Sequence, residues 1–116
     1  MTDFAACRET IETALGLERG RLSRDEPFQF IASTGNQKSY ILKRVSEELT
    51  DHTVPECRNG GGQRVMLANR EMYVFFLEGV IKFRAYVRCL SCNQERTFTV
   101  LEYVTEAAWN DAKVIA

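Results

Sequence analysis

The chain has 116 residues, of which 45% are hydrophobic and 27% are charged, with a net charge of −1. This composition excludes a disordered chain, and the length fits one domain with one core. No apolar run approaches the ~20 residues of a membrane span, and the N-terminus lacks the basic and apolar regions of a signal peptide. We therefore expect a single domain over residues 1–116, located in the cytoplasm, with no membrane partner.

The charges are distributed unevenly along the chain. Residues 57–96 carry seven Lys and Arg against three Asp and Glu, whereas the segments on both sides are acidic. A basic middle segment between acidic ends predicts one positive surface rather than a protein that coats nucleic acid throughout.

The first 32 residues predict a helix, a charged loop and a short strand. Thr2 or Asp3 can cap the helix, and Gly16 is a plausible end. Its apolar face follows helical spacing and contains Phe4, Cys7, Ile11 and Leu15. The opposite face, which we expect to be exposed, contains Arg8, Glu9, Glu12 and Thr13. After a loop from Glu18 to Glu26, Phe28 to Ala32 alternates weakly and suggests a strand.

A second amphipathic helix is predicted from Gln37 to Asp51, since Ile41, Leu42, Val45 and Leu49 recur every three or four residues. The alternative is a hairpin that turns at Gly35-Asn36. Residues 52–63 contain Pro55 and three consecutive glycines, and we expect a loop there.

The second half predicts an antiparallel meander followed by a helix. Its strand-like segments, rich in β-branched and aromatic residues, are 64–67 continuing into 72–77, 80–89 and 96–104. Thr105 begins a short final helix that runs to Ala112. The expected fold class is therefore α+β: a three- to four-stranded antiparallel sheet with N-terminal, middle and short C-terminal helices packed on it. Because the segment 72–77 is apolar on both faces, we expect helices to bury both. The alternative is that the second face of the sheet is the docking surface of a partner.

A structural zinc site is the interpretation that we favour for the cysteines and the histidine. Cys89 and Cys92 form a CxxC pair at a hairpin turn, which is how half of a tetrahedral zinc site is usually built. Residues 87–98 resemble one knuckle of a zinc ribbon, with Asn93 at the position that needs a left-handed backbone. His52 and Cys57 would supply the other two ligands from the loop.

Two alternatives to zinc stay open. The cysteines could be unligated thiols, since free cysteine is among the most buried residue types. Cys89 and Cys92 could also be a redox-active dithiol, although such motifs normally open a helix after a strand. Cys7 belongs to the apolar helix face in any case. With one histidine in the chain, nucleophile–base sets are poorly supplied, and we expect no enzyme.

A basic stripe is predicted on the strand from Val80 to Cys89. Side chains alternate along a strand, so Lys82, Arg84, Tyr86 and Arg88 share a face, and Tyr103 on the next strand joins it. Cations interleaved with aromatic rings suit contact with nucleic acid. The same pattern suits an acidic protein partner, or a face that is simply solvated.

We therefore expect a small non-enzymatic binding or regulatory protein that occupies a surface of a larger protein or ribonucleoprotein complex. Inhibitors of nucleic-acid-handling machines encoded by phages or mobile elements belong to this class. One alternative is a nucleic-acid-binding module that resembles a zinc ribbon. A small redox or metal-dependent enzyme is the other.

Overall fold

A computed structural model describes residues 3–51, 65–68, 70–89 and 93–115. Its helices are α1 (Phe4–Leu15), α2 (Gly35–Asp51) and α3 (Glu106–Ile115), with a 3₁₀ turn at Leu22–Arg24. Its strands are β1 (Phe28–Ile31), β2 (Val65–Leu67), β3 (Tyr73–Leu77), β4 (Val80–Cys89) and β5 (Glu95–Tyr103). The predicted α+β class is confirmed. No helix in the described ranges is long and apolar enough to cross a membrane.

The five described strands form one antiparallel sheet that is four strands wide. β4 lies inside the sheet and pairs with β5 along its whole length on one side. β2 and β3 share its other side, because Leu67 pairs with Val87 and Tyr73 pairs with Arg84. β1 pairs with β3 and forms the far edge. The predicted meander is thus correct, with β1 added to it.

The hairpin alternative at Gly35-Asn36 is wrong, because these residues form the first turn of α2. The reason is a reciprocal cap. The Thr34 hydroxyl accepts the Gln37 N–H at 3.2 Å, and the Gln37 side-chain oxygen accepts the Thr34 N–H at 3.1 Å. This capping box satisfies backbone donors at the helix start. The α1 cap is as predicted, since the Asp3 carboxylate accepts from Ala5 and Ala6.

The core lies between one face of the sheet and helices α1 and α2. Among its fully buried side chains are Ile11, Leu15, Ile41, Val45, Val74, Phe76, Ile81 and Phe83. Along β4 the buried positions alternate with half-buried or exposed ones, as the sequence predicted. The ring of Tyr40 on α2 meets Phe83 edge to face, with centroids 5.6 Å apart. This side of the sheet is therefore the helix-covered face.

The prediction that Glu12 is exposed is wrong. Only 3% of Glu12 is accessible, and its carboxylate accepts the backbone N–H of Leu22 at 2.9 Å. The loop after α1 folds back over this side chain, and Leu22 itself is buried in the core. Helical periodicity marks Glu12 as polar but carries no information about a loop that returns to cover it.

Arg44 connects α2 to β5 on the helix-covered face. Its guanidinium donates to Glu47 at 2.7 Å, to Glu48 at 3.2 Å and to Glu102 on β5. Burial acts to lower the pKa of Arg44, but the Glu102 carboxylate outweighs it and the pKa is raised. Burial and the Glu102 carboxylate also raise the pKa of Tyr40 to about 12. Arg44 is thus matched by three carboxylates.

Gly79 joins the N-terminal loop, the β3–β4 turn and α3. Glu78 and Gly79 have φ values of 52° and 77°, the paired left-handed conformations of a two-residue hairpin turn. The Gly79 N–H donates to the Asp25 carboxylate at 2.9 Å, and its carbonyl accepts from Val104 at 2.9 Å. A Cβ here would lie 3.1 Å from that of Ala108 and closer still to the Thr105 side chain.

We expect Gly79→Ala to lower the free energy of unfolding by about 2–4 kcal/mol, from the left-handed backbone and from overpacking together. Gly16→Ala is the matched control, because Gly16 has φ 70° but no atom within 4 Å of its added Cβ. It should cost only about 1 kcal/mol. Urea denaturation of both variants measures the difference. Equal losses would mean that the contact with α3 is not what constrains residue 79.

Candidate functional site: the outer face of the sheet

The face opposite α1 and α2, here called the outer face, is formed by alternate residues of four strands. The strand registers place the following residues on it: Gln29 and Ile31; Tyr73, Phe75 and Leu77; Val80, Lys82, Arg84, Tyr86 and Arg88; Glu95, Thr97, Thr99, Leu101 and Tyr103. The side chains of α1 and α2 in the core cluster pack against the other face. Large apolar groups on the outer face are accessible: Leu77 is 54%, Ile31 49% and Leu101 43% exposed.

The prediction that helices bury both faces of β3 is therefore wrong. Val74 and Phe76 are buried, whereas Tyr73 and Phe75 are half-buried and Leu77 is exposed. In the described part of the chain, the two longer helices lie on the same side of the sheet. An apolar face of this kind left open to solvent is typical of an interaction surface.

Four cations lie on or beside the outer face, and the nearby carboxylates among the described residues include Glu95 and Glu71, whose charge acts on Tyr73. Glu95 lies 3.5 Å from Arg70 and 4.0 Å from Arg88. Lys82 and Arg84 form no ion pair with any of the described residues. This contrasts with Arg44 on the helix-covered face, which contacts three carboxylates. The outer face therefore has an excess of positive charge at Lys82 and Arg84.

The aromatic rings of the outer face are already in contact with neighbouring side chains. The Arg70 guanidinium lies over the Tyr86 ring at 4.3 Å, and that of Arg84 lies over Phe75 at 5.1 Å. Tyr73 meets Tyr86 edge to face, with centroids 6.4 Å apart. These contacts hold the guanidinium groups against the aromatic rings. The arginine side chains therefore lose less conformational entropy when a partner binds.

A hollow of about 450 Å³ lies beside Arg84 between β1, β3 and β4. Its lining is mainly apolar, with Lys82 and Arg84 as its cationic groups: Pro27, Phe28, Gln29, Phe75, Phe76, Leu77, Val80, Lys82 and Arg84. The Nε of Arg84 is shielded from solvent and has no acceptor among the described residues. A buried donor without an acceptor costs about 1–3 kcal/mol, which an incoming carboxylate or phosphate could offset.

The residues predicted as a partner-binding stripe do share one face. Lys82, Arg84, Tyr86 and Arg88 follow one another along β4, as expected. Tyr103 is opposite Val80, eight residues along β4 from Arg88 and thus about 26 Å away. It packs edge to face against Trp109 of α3, with centroids 5.1 Å apart. Tyr103 therefore belongs to a separate end of the surface.

Sequence reasoning missed two parts of this surface. Arg70 lies in the interruption between β2 and β3, where five residues on that side oppose two on β4. Phe75 and Leu77 are expected to be buried by helices in the favoured interpretation and exposed only in the alternative of a docking surface. Alternation along β3 placed their side chains correctly, but the exposure depends on where the helices pack.

The predicted zinc ligands lie mostly outside the described residues. This applies to His52, Cys57 and Cys92. Cys89 is buried at the end of β4, opposite Val65. Asn93 has φ 64°, the expected left-handed conformation, and its N–H donates to the Cys89 carbonyl at 2.8 Å. Among the described residues, no three His, Cys, Asp or Glu side chains are grouped as a metal site.

No protein-family model, curated protein or solved structure matches this chain. The function of the protein must therefore be inferred from the chemistry of its own surfaces. Within the described residues, the outer face combines exposed apolar area, two cations without an ion pair and an apolar hollow, which are features typical of binding surfaces.

Side chains of the outer face should contribute little to folding. We expect Arg84→Ala to change the free energy of unfolding by no more than about 1 kcal/mol, the scale of one cation–π contact. Phe83→Ala, one residue earlier and fully buried, should cost about 3–5 kcal/mol. Thermal and urea unfolding of the two variants give the comparison. A large loss for Arg84→Ala would show that this residue supports the fold rather than a partner.

Proposed function

We propose that this protein is a non-enzymatic binding and regulatory module that docks through the outer face onto an acidic surface of a larger complex. The observation that carries the proposal is the pair of cations Lys82 and Arg84, which form no ion pair with the described residues and border an apolar hollow. Solubility alone would explain exposed cationic side chains, but it would not explain why they border an apolar hollow.

The charge of the outer face fits a partner rich in carboxylates. The four cations outnumber the nearby carboxylates of Glu71 and Glu95, so the outer face attracts an acidic surface and accelerates the encounter, most strongly at low salt. The ring-supported guanidinium groups of Arg70 and Arg84 are held before binding. Less side-chain entropy is then lost when the complex forms.

The apolar part of the surface supports a protein partner. The exposed Leu77 and the hollow beside it can accept an apolar side chain, while Lys82 and Arg84 bind a neighbouring carboxylate. Arg and Tyr residues beside a pocket are typical of the residues that dominate binding energy at protein interfaces.

The arrangement of the rings makes nucleic acid the weaker candidate. In complexes with single-stranded nucleic acid, the bases stack on the open faces of aromatic side chains. Here Arg70 lies over one face of Tyr86, Arg84 lies over Phe75, and Tyr103 is packed against Trp109. An inhibitor that covers an acidic surface of a nucleic-acid-handling machine fits this chemistry better than a module that binds the nucleic acid itself.

We expect Arg84→Ala and Tyr86→Ala each to weaken the complex by about 1–3 kcal/mol, as truncation of interface hot spots does. The partner is first identified by comparing proteins retained by the wild type with those retained by the triple variant Lys82→Glu/Arg84→Glu/Arg88→Glu. Calorimetry on the purified partner then measures each dissociation constant. The affinity should also fall as salt increases.

Arg19→Ala is the matched control, because Arg19 is an exposed arginine that pairs with Glu9 of α1. It should leave the dissociation constant unchanged. A complex that is insensitive to Arg84 and Tyr86 but sensitive to α1 would refute the proposal. Tight, salt-dependent binding of an oligonucleotide, measured by fluorescence anisotropy, would favour the nucleic-acid module instead.

We also propose that His52, Cys57, Cys89 and Cys92 bind one structural zinc ion. The left-handed Asn93 directly after Cys92 supports a tight turn of the kind that CxxC ligands need. Such a zinc would fasten the β4–β5 hairpin to the loop after α2. It would have no open coordination position and thus no catalytic role.

Protein purified without chelators should contain about one zinc per chain, measured by elemental analysis. Cys92→Ala should lose the metal and lower the melting temperature, because binding of a structural zinc contributes to the free energy of folding. Cys7→Ala is the control, since Cys7 lies on α1 against the core. Metal-free wild-type protein with the same melting temperature as Cys92→Ala would refute the site.

A further inference from the structure

Strand β5 leaves a long edge of the sheet without a partner in the described part of the chain. It has nine residues and pairs there with β4 alone. Thr97, Thr99 and Leu101 on this strand are exposed. The opposite edge, β1, has four residues and follows Pro27, which are features that discourage pairing between edges. The edge of β5 lacks both protections.

Two hydrogen bonds reveal which backbone groups of β5 point outward. The Cys89 N–H donates to the Gln94 carbonyl, and the Val104 N–H donates to the Gly79 carbonyl, each at 2.9 Å. In an antiparallel ladder, hydrogen-bonded residues alternate with residues that face the other way. The even-numbered residues of β5 therefore bond to β4. Odd-numbered residues, Thr99 at their centre, direct their N–H and C=O groups to the open edge.

We propose that β5 pairs with β5 of a second copy of this chain, antiparallel, about a two-fold axis at Thr99. In this register Thr99 faces itself as a hydrogen-bonded pair, which agrees with its outward backbone groups. Thr97 is then opposite Leu101, and Phe98 is opposite Val100. Arg96 is opposite Glu102, so that opposite charges meet one position inside each end of the pairing, and Glu95 is opposite Tyr103.

The charge pattern is what selects a second copy over an unrelated strand. A two-fold antiparallel pairing is favoured where the residues at equal distances before and after the axis are complementary. Around Thr99, Arg96 and Glu102 are complementary in charge and Phe98 and Val100 are both apolar, whereas the pairs Thr97–Leu101 and Glu95–Tyr103 do not contribute to this selection. Glu102 is the carboxylate that also binds Arg44.

The dimer would extend the sheet without a break. Odd-numbered residues of one copy lie opposite odd-numbered residues of the other copy. Because the odd-numbered residues of β5 belong to the outer face, the outer faces of the two copies lie on the same side of the extended sheet. The cations of the two copies then form one larger basic surface. This inference does not depend on the identity of the proposed partner, and a monomer could still dock through one outer face.

Cysteine cross-linking tests the register. Thr99→Cys should form a disulfide between copies, because residues facing each other in the hydrogen-bonded pair have Cα atoms ~5.5 Å apart, within the range that disulfides span. Thr97→Cys is the matched control. Its two copies would be separated by four residues along the strand, about 13 Å, and should not cross-link. Peptide mapping distinguishes these products from disulfides of the native cysteines.

Sedimentation of the full chain over a range of concentrations tests the dimer itself. Thr99→Pro removes an outward N–H that β4 does not use, so the fold should remain while the dimer dissociation constant rises at least ~10-fold. Thr99→Val keeps the N–H and should still dimerise. Wild-type protein that remains monomeric at ~100 μM would overturn the proposal, because the dissociation constants of specific dimers lie below this concentration. Cross-linking of Thr97→Cys in preference to Thr99→Cys would also overturn it.

Discussion

The alternation of β4 is the constraint on which the rest of the structure depends. Ile81, Phe83 and Ala85 must be buried, which fixes one face of the sheet against α1 and α2. Because side chains alternate with a period of two, Lys82, Arg84 and Tyr86 must then point the other way. β4 is paired on both sides, so this division extends to β3 and β5 through their registers.

Charged side chains are stabilised in different ways on the two faces of the sheet. On the helix-covered face, Arg44 is enclosed by carboxylates from α2 and β5, where an unpaired charge would be costly. On the outer face, water can solvate a cation, so Lys82 and Arg84 need no internal partner for the fold to be stable. Such cations remain available to an external anion, and they are placed beside exposed apolar groups.

The junction at Gly79 holds this arrangement at one end of the sheet. Asp25 of the N-terminal loop and Val104 at the end of β5 both bond to its backbone. Ala108 of α3 and the preceding Thr105 pack so closely that an added Cβ would force them to shift. The turn thereby links segments that are far apart in sequence, and it fixes where β5 ends and α3 begins. The position of Trp109 beside Tyr103 follows from it.

The sequence by itself determined the features that depend on short-range periodicity and caps. These are the helix that Asp3 caps, the hairpin at Glu78-Gly79, and the common face of Lys82, Arg84, Tyr86 and Arg88. Tertiary structure decided what periodicity does not encode. Both longer helices pack on one side of the sheet, which leaves Leu77 exposed and Phe75 half-buried, and a returning loop buries Glu12. Burial depends on which distant segment covers a side chain, and a local pattern reports only which way that side chain points.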